Sequence, residues 1–271
     1  MSLPIPRIGI ISLASGGKGY VFSGRNTESQ SLFKFDPITE EWINITVTHG
    51  LGNFDYGRGW SVGFAIGDCI YVGGGQGSKE INGGRIYSDF IRYDPVNNIF
   101  EEAASIPERT TRSLSFSVNG KGYIGSGFND RFYEYDPSTN KWKIIPNPQM
   151  VSIRTYSNVG FSYKEKGYAL IGKRLWELDP TTYTWTEKAA FPGDERGDLF
   201  SFVLDDHAFV GHGYVSWNQE YKDIYRYNFM TDTWMEMESI IDAPAGSASS
   251  FVIDKTAYLF ANRTVYEYTI E

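Results

Sequence analysis

Arginines recur along this chain at broadly similar intervals: Arg7, Arg58, Arg109 or Arg112, Arg154 and Arg196. A guanidinium offers a planar fork of N–H donors that matches a carboxylate, so several gathered at one place would grip an acidic ligand. Arg25 adds a further cation near the start. Aromatic residues fall in the same irregular stretches, at Phe54, Tyr56, Trp60, Tyr214 and Trp217. Rings beside cations could stack on a sugar or cover a peptide. The competing reading is internal. Each arginine would then pair with carbonyls or carboxylates of the fold, and each ring would lie back on its own rim.

Other chemistry is sparse. Gly120 to Gly125 spells GxGxxG, but a tight turn and an apolar strand surround it, whereas a phosphate site needs a helix N-terminus to follow. The stretch Ser15 to Gly19 lacks the Ser/Thr and the helix of a P-loop, and neither HExxH nor GxSxG occurs. His49, His207 and His212 are scattered, and the lone Cys69 sits before Ile70-Tyr71 as a core thiol would. Neither a metal centre nor a cofactor is expected from these groups. A net charge of −8 argues against a nucleic acid or an anionic membrane as partner, since both reward clustered Lys and Arg. No apolar run is long enough for a membrane helix, and Met1 to Gly9 lacks the layout of a secretion signal.

The elements that must position the arginines are written as repeats. FDPITEEW, YDPVNNIF, YDPSTNKW, LDPTTYTW and YNFMTDTW keep one interval of six residues from Asp or Asn to Trp or Phe. A second phrase runs from an aromatic to a glycine: YVFSG, YVGGG, YIGSG, YALIG and FVGHG, with YLFAN in the last copy. Its copies stand 41 to 52 residues apart, mostly just after a glycine-rich or Asp-Asp turn. Before each Asp turn the residues alternate apolar, charged, apolar, as in Tyr133-Glu134-Tyr135 and Tyr225-Arg226-Tyr227. That is the period of a strand with one buried face. Each repeat therefore holds four strands. The Asp closes an Asx turn, Pro forbids the third strand from continuing, and Trp enters the fourth and fills the gap between sheets.

These phrases resemble the Kelch-repeat family: a Gly pair ends the second strand, an aromatic-Asp lies near the end of the third, and a Trp follows six residues later. Gly73-Gly74-Gly75 with Tyr93-Asp94, and Gly125-Ser126-Gly127 with Tyr135-Asp136 and Trp142, match closely. Phe100 and Leu178 depart from the pattern, and the last repeat has Phe260-Ala261-Asn262 and stops after its third strand.

The resemblance implies an all-β, six-bladed Kelch-type β-propeller forming one domain over 1–271. The expected blades are 7–51, 52–106, 107–150, 151–193, 194–243, and 244–271 joined by 1–6. Residues Ser2 to Pro6 are expected to complete the last blade, because an unfinished blade leaves an open edge. The family's copper radical oxidases need paired histidines and a Cys–Tyr crosslink, which this chain does not offer.

In adaptor propellers of the family, arginines before the first strand of each blade grip acidic peptides. Arg7, Arg58, Arg154 and Arg196 are expected at that place, with Arg109 one residue off. The expected site is the loop face carrying Arg7, Arg25, Arg58, Trp60, Arg154, Arg196 and Trp217, and its expected ligand a protein segment or a glycan. The chain is read as a monomeric binding module without catalytic residues. A sugar-active enzyme resembling the sialic acid mutarotases is the alternative, and a structural domain of a larger exported protein the third reading. The phrasing is similar to that of bacterial Kelch proteins, often exported, so a periplasmic or extracellular place is expected.

Overall fold

A computed structural model of the chain describes residues 9–22, 24, 31–46, 58–77, 83–149, 152–216, 219–239, 248–261 and 264–270. All regular structure among them is β-strand. Five four-stranded antiparallel sheets and one three-stranded sheet follow each other along the chain, each a simple meander. They are the blades of a six-bladed propeller. Blade 3 shows the plan: Leu114–Val118 innermost, then Lys121–Gly125, Phe132–Asp136, and Lys141–Ile145 outermost. The other innermost strands are Ile11–Ser15, Val62–Ile66, Asn158–Tyr163, Phe200–Leu204 and Ser249–Ile253. The expected completion of blade 6 by Ser2 to Pro6 falls outside the described residues.

Local sequence explains the meander. In each Asx turn the side-chain oxygen accepts from the amide two residues on: Asp36 from Ile38 at 3.0 Å, Asp94 from Val96 at 3.0 Å, Asp136 from Ser138 at 2.9 Å, Asp179 from Thr181 at 2.8 Å. Asn228 does the same for Met230 at 2.8 Å. The indoles six positions on reach sideways. Trp142 donates to the Ala104 carbonyl at 2.7 Å, Trp185 to Pro146 at 2.8 Å and Trp234 to Ala189 at 2.9 Å, in each case on the preceding blade. Burying such a ring contributes roughly 2–3 kcal/mol.

Blades also interlock near the axis. An inner-strand phenylalanine lies against a glycine of the next blade. A Cβ on Gly122 would fall 1.9 Å from the Phe64 ring, and one on Gly19 would fall 2.0 Å from Phe251. The second of these joins blade 6 to blade 1. Serines form a girdle at the level just above: Ser115 donates to the Gly63 carbonyl at 2.8 Å, Ser201 to Gly160 at 3.2 Å, Ser250 to Ser201 at 2.8 Å, and Ser12 to Ser250 at 3.0 Å. The two positions at this level without a side chain are Gly63 and Gly160. A Cβ on Gly160 would stand 2.8 Å from the Ser115 carbonyl oxygen.

Candidate functional site

The inner strands begin around a cavity of about 270 Å³ on the propeller axis. Residues at one register position set its rim. Counting four back from Phe64, Phe116 and Phe202 gives Trp60, Arg112 and Asp198, and the corresponding residue of blade 1 is Gly9. All four have left-handed backbone, with φ of 67° at Gly9, 56° at Trp60, 54° at Arg112 and 55° at Asp198. Most other non-glycine residues in this region are Asn, Asp or Lys in hairpin turns, where the conformation is cheap. A tryptophan there carries a strain of about 1–3 kcal/mol that surrounding contacts must hold. Backbone bonds between blades do so: the Trp60 amide donates to the Gly9 carbonyl at 2.7 Å, and the Arg112 amide to the Trp60 carbonyl at 3.1 Å.

Their side chains meet across the mouth. The Arg112 guanidinium lies 3.9 Å over the Trp60 ring and 5.4 Å from that of Tyr156. Its Nη1 donates to Asp198 Oδ1 at 3.0 Å, while the Trp60 indole donates to Asp198 Oδ2 at 3.1 Å. Asp198 stands on blade 5 and Arg112 on blade 3, so the bond spans blade 4. Tyr214 packs beside the pair; burial first, and then the Asp198 charge, push its phenol upward. Tyr156 is half exposed, at 49%. Below this rim the cavity wall carries Ser12, Ser115, Ser201 and Ser250 of the girdle.

The arginines expected at this face divide sharply. Arg58 and Arg196 are buried, 1% and 2% exposed, and neither lines the cavity. Arg58 forks onto Asp89 at 2.7 and 2.8 Å, donates to the Gly74 carbonyl at 3.0 Å, and lies 4.2 Å over the Tyr87 ring. Arg196 donates from Nη1 to Asp223 Oδ2 at 3.0 Å, brings Nη2 to 2.7 Å from Oδ1 as an ion pair without hydrogen-bond geometry, and lies 4.3 Å over Tyr221. These pairs clamp the segment before the third strand of their own blade, and that is the internal use weighed for them. A triplet in the sequence carries this pairing: Tyr87-Ser88-Asp89 and Tyr221-Lys222-Asp223.

Arg154 is exposed, 4.8 Å over the Phe128 ring, and does not line the cavity. It also stands one residue from the level of Arg58. In the first three blades a glycine following the second strand donates to the carbonyl at that level in the next blade, which is Arg58 for Gly24, Thr110 for Gly75 and Thr155 for Gly127. Threonines thus hold the place expected of Arg109 and Arg154. Trp60 is on the rim. Arg7, Arg25 and Trp217 lie outside the described residues, as do Phe54 and Tyr56.

Asp198, Tyr156 and the serine girdle were not singled out from the sequence. Asp198 could have been found from its place four residues before Phe202. Among the described residues no cluster of His, Cys, Asp or Glu could hold a metal ion. His207 meets the Asn228 amide at 3.2 Å in its hairpin, and His212 is fully buried in the blade 5 wall. The GxGxxG stretch runs along the strand Lys121–Gly125. No helix of the described residues is long and apolar enough to cross a membrane.

Repeats and architecture together define the class: the chain is a Kelch-repeat β-propeller. No family model matches it. It is 29% identical over 145 residues to one F-box/kelch-repeat protein of Arabidopsis thaliana and 30% identical over 125 residues to another. These matches take in 48% and 44% of the chain, and 40% and 30% of the relatives. It is 33% identical over 101 residues, 34% of the chain, to an N-acetylneuraminate epimerase of Shigella sonnei, of which that stretch spans 27%. The matches therefore span well under half the length of these relatives. A solved structure of YjhT superposes with a TM-score of 0.76 at 14% identity, covering 99% of this chain and 95% of that one, and so shares the fold.

Proposed function

We propose that this chain is a ligand-binding propeller whose channel mouth takes a small carbohydrate bearing a carboxylate. One observation carries the reading. Arg112 is held between the Trp60 and Tyr156 rings directly over a polar cavity. The guanidinium has five N–H donors, more than Asp198 and Tyr214 can absorb, so a second carboxylate can share the fork. Flanking rings suit the faces of a sugar. A volume of about 270 Å³ lies just below the range of ligand pockets, roughly 300–1,000 Å³, and favours a single sugar over an extended peptide. An acidic-glycan and peptide array on the purified protein, repeated with Arg112→Ala, tests the reading. Acidic sugars should be retained by the native protein and lost by the variant. An array pattern unchanged by the substitution rejects this mouth as the site.

Catalysis on such a sugar is the second reading, favoured by Asp198 standing against Arg112 at the mouth. An acid beside a cation within a pocket is a common arrangement for proton transfer at a sugar carbon or ring oxygen. One curated relative is an N-acetylneuraminate epimerase. Exchange between the anomers of N-acetylneuraminate, followed by NMR, separates the two readings: a rate raised by the native protein and not by Asp198→Asn marks an enzyme.

A further inference from the structure

Beneath Arg112 the girdle serines have their hydroxyl protons committed to the wall. Ser115 donates to Gly63, Ser201 to Gly160, Ser250 to Ser201 and Ser12 to Ser250, each to a backbone carbonyl of the adjacent blade. Ser12 also meets the Ser249 hydroxyl at 2.6 Å, and Ser115 accepts from the Gly63 amide at 3.3 Å, which leaves Ser201 and Ser250 the freest acceptors of the girdle. Nearer the rim, Asn158 uses its amide nitrogen in the same way, donating to the Arg112 and Thr155 carbonyls at 3.0 and 2.5 Å. A serine hydroxyl carries one proton and two lone pairs. Once the proton is directed into the wall, what such an oxygen can offer the lumen is acceptor capacity. The girdle also has its gaps beside Ser115, on the blade that carries Arg112: Gly63 lies on one side and Gly160 on the other, both lining the cavity.

We propose that this level of the channel is a donor-selective subsite, which takes the hydroxyl groups of a ligand whose carboxylate rests on Arg112. The inference rests on the mouth being the binding site and specifies which acids it accepts. At the rim the spare N–H donors of Arg112 stand beside its Asp198 partner, and oxygen acceptors lie below, so the groups offered to a ligand change from donor to acceptor along the axis. A ligand matched to it is an acid at one end and a polyol along the rest. An apolar acid of the same size would bury the serine lone pairs without partners, and such loss discriminates more strongly than a missing contact between apolar groups.

The test is calorimetric binding of methyl β-D-glucuronide and cyclohexanecarboxylate, ring acids with and without hydroxyls, at one ionic strength. The native protein should prefer the glucuronide by about 10-fold or more. Ser115→Ala and Ser201→Ala should narrow that preference without abolishing binding, and Arg112→Ala should remove binding of both acids. Equal affinity for the two acids in the native protein, with both still lost in Arg112→Ala, overturns the subsite and leaves the mouth reading standing. Failure of both acids to bind overturns the mouth reading and the subsite with it. The native comparison needs no variant to fold, and thermal melts of the serine variants separate lost contacts from lost structure.

Discussion

Arg58 and Arg112 both precede an inner strand of the propeller, yet they occupy different worlds. Arg58 stands six residues before Phe64, and its guanidinium is enclosed by Asp89, Tyr87 and the Gly74 carbonyl. Arg112 stands four residues before Phe116, in left-handed backbone, and lies over the axis between Trp60 and Asp198. Two positions of register separate a wall brace from a mouth residue. The same division holds in blade 5, where Arg196 is in the wall and Asp198 on the rim. Blades 2 and 5 lie opposite each other, and both place a Tyr-x-Asp triplet ahead of the third strand for the clamp to hold. In a propeller, then, the residue type at a loop says less about binding than its offset from the inner strand.

The widest test of this division is stability. Arg58→Ala leaves Asp89 facing a gap in the wall, and breaking a buried pair of this kind costs about 3–5 kcal/mol. Asp89 keeps 30% side-chain exposure, which places the expected loss toward the lower end. Urea denaturation should show it as a fall in midpoint with little change in slope. An Arg58→Ala protein as stable as the native one would place Arg58 outside the framework.

Acid distinguishes the two clamps from each other. The position that is Gly74 beside Arg58 is His212 beside Arg196: both amides donate to the clamp aspartate's carbonyl, at 3.0 and 3.1 Å. His212 is fully buried with neither ring nitrogen hydrogen-bonded. Burial, reinforced by the Arg196 charge, pushes its pKa down from 6.5 to about 4. The unfolded chain binds that proton near its ordinary value and the folded chain only near 4. The contribution to stability is therefore complete above about pH 6.5 and is lost as pH falls toward 4, by about 3 kcal/mol. His212→Asn, which tolerates the φ of 58°, should flatten that part of the profile. Identical native and variant profiles between pH 7 and 4 would remove His212 from the account.

The framework was legible because it is local. An Asp-Pro turn, a Trp six residues later and a Gly-Lys-Gly-Tyr hairpin each declare themselves within one short window, and repetition removes the ambiguity of any one copy. Asp136→Ala should cost about 1 kcal/mol by removing the acceptor for the Ser138 amide, and Asp136→Asn much less, as Asn228 shows by making the same bond. Thermal melts of the two variants resolve the difference.

The site was less legible because it depends on offsets between blades. Arg154 looks equivalent to Arg58 along the chain, and Arg109 one residue off, but the ladder of glycine amides puts Thr110 and Thr155 at that level. Asp198 carries no motif of its own. It becomes a rim residue only when Phe64, Phe116 and Phe202 are aligned and the ring is closed, which brings residues 86 positions apart into one ion pair. The serine girdle is hidden for the same reason, since each hydroxyl acts on a different blade.

The smallest expected effect is the one that bears most directly on the division between wall and mouth. Arg112→Ala removes a cation from Asp198, whose side chain is 7% exposed, and lifts a guanidinium from the Trp60 ring. In the wall such a loss would strand a charge. At the mouth, Asp198 keeps the bond from the Trp60 indole at 3.1 Å, and the space vacated by the guanidinium opens onto the cavity, so water can solvate the carboxylate. The cost should then fall to that of a solvated ion pair, about 1 kcal/mol or less, while binding of acidic sugars disappears. A double-mutant cycle with Asp198→Asn measures the coupling directly. Should Arg112→Ala destabilise the protein as much as Arg58→Ala, the two arginines would be braces alike, and register would no longer separate the wall from the mouth.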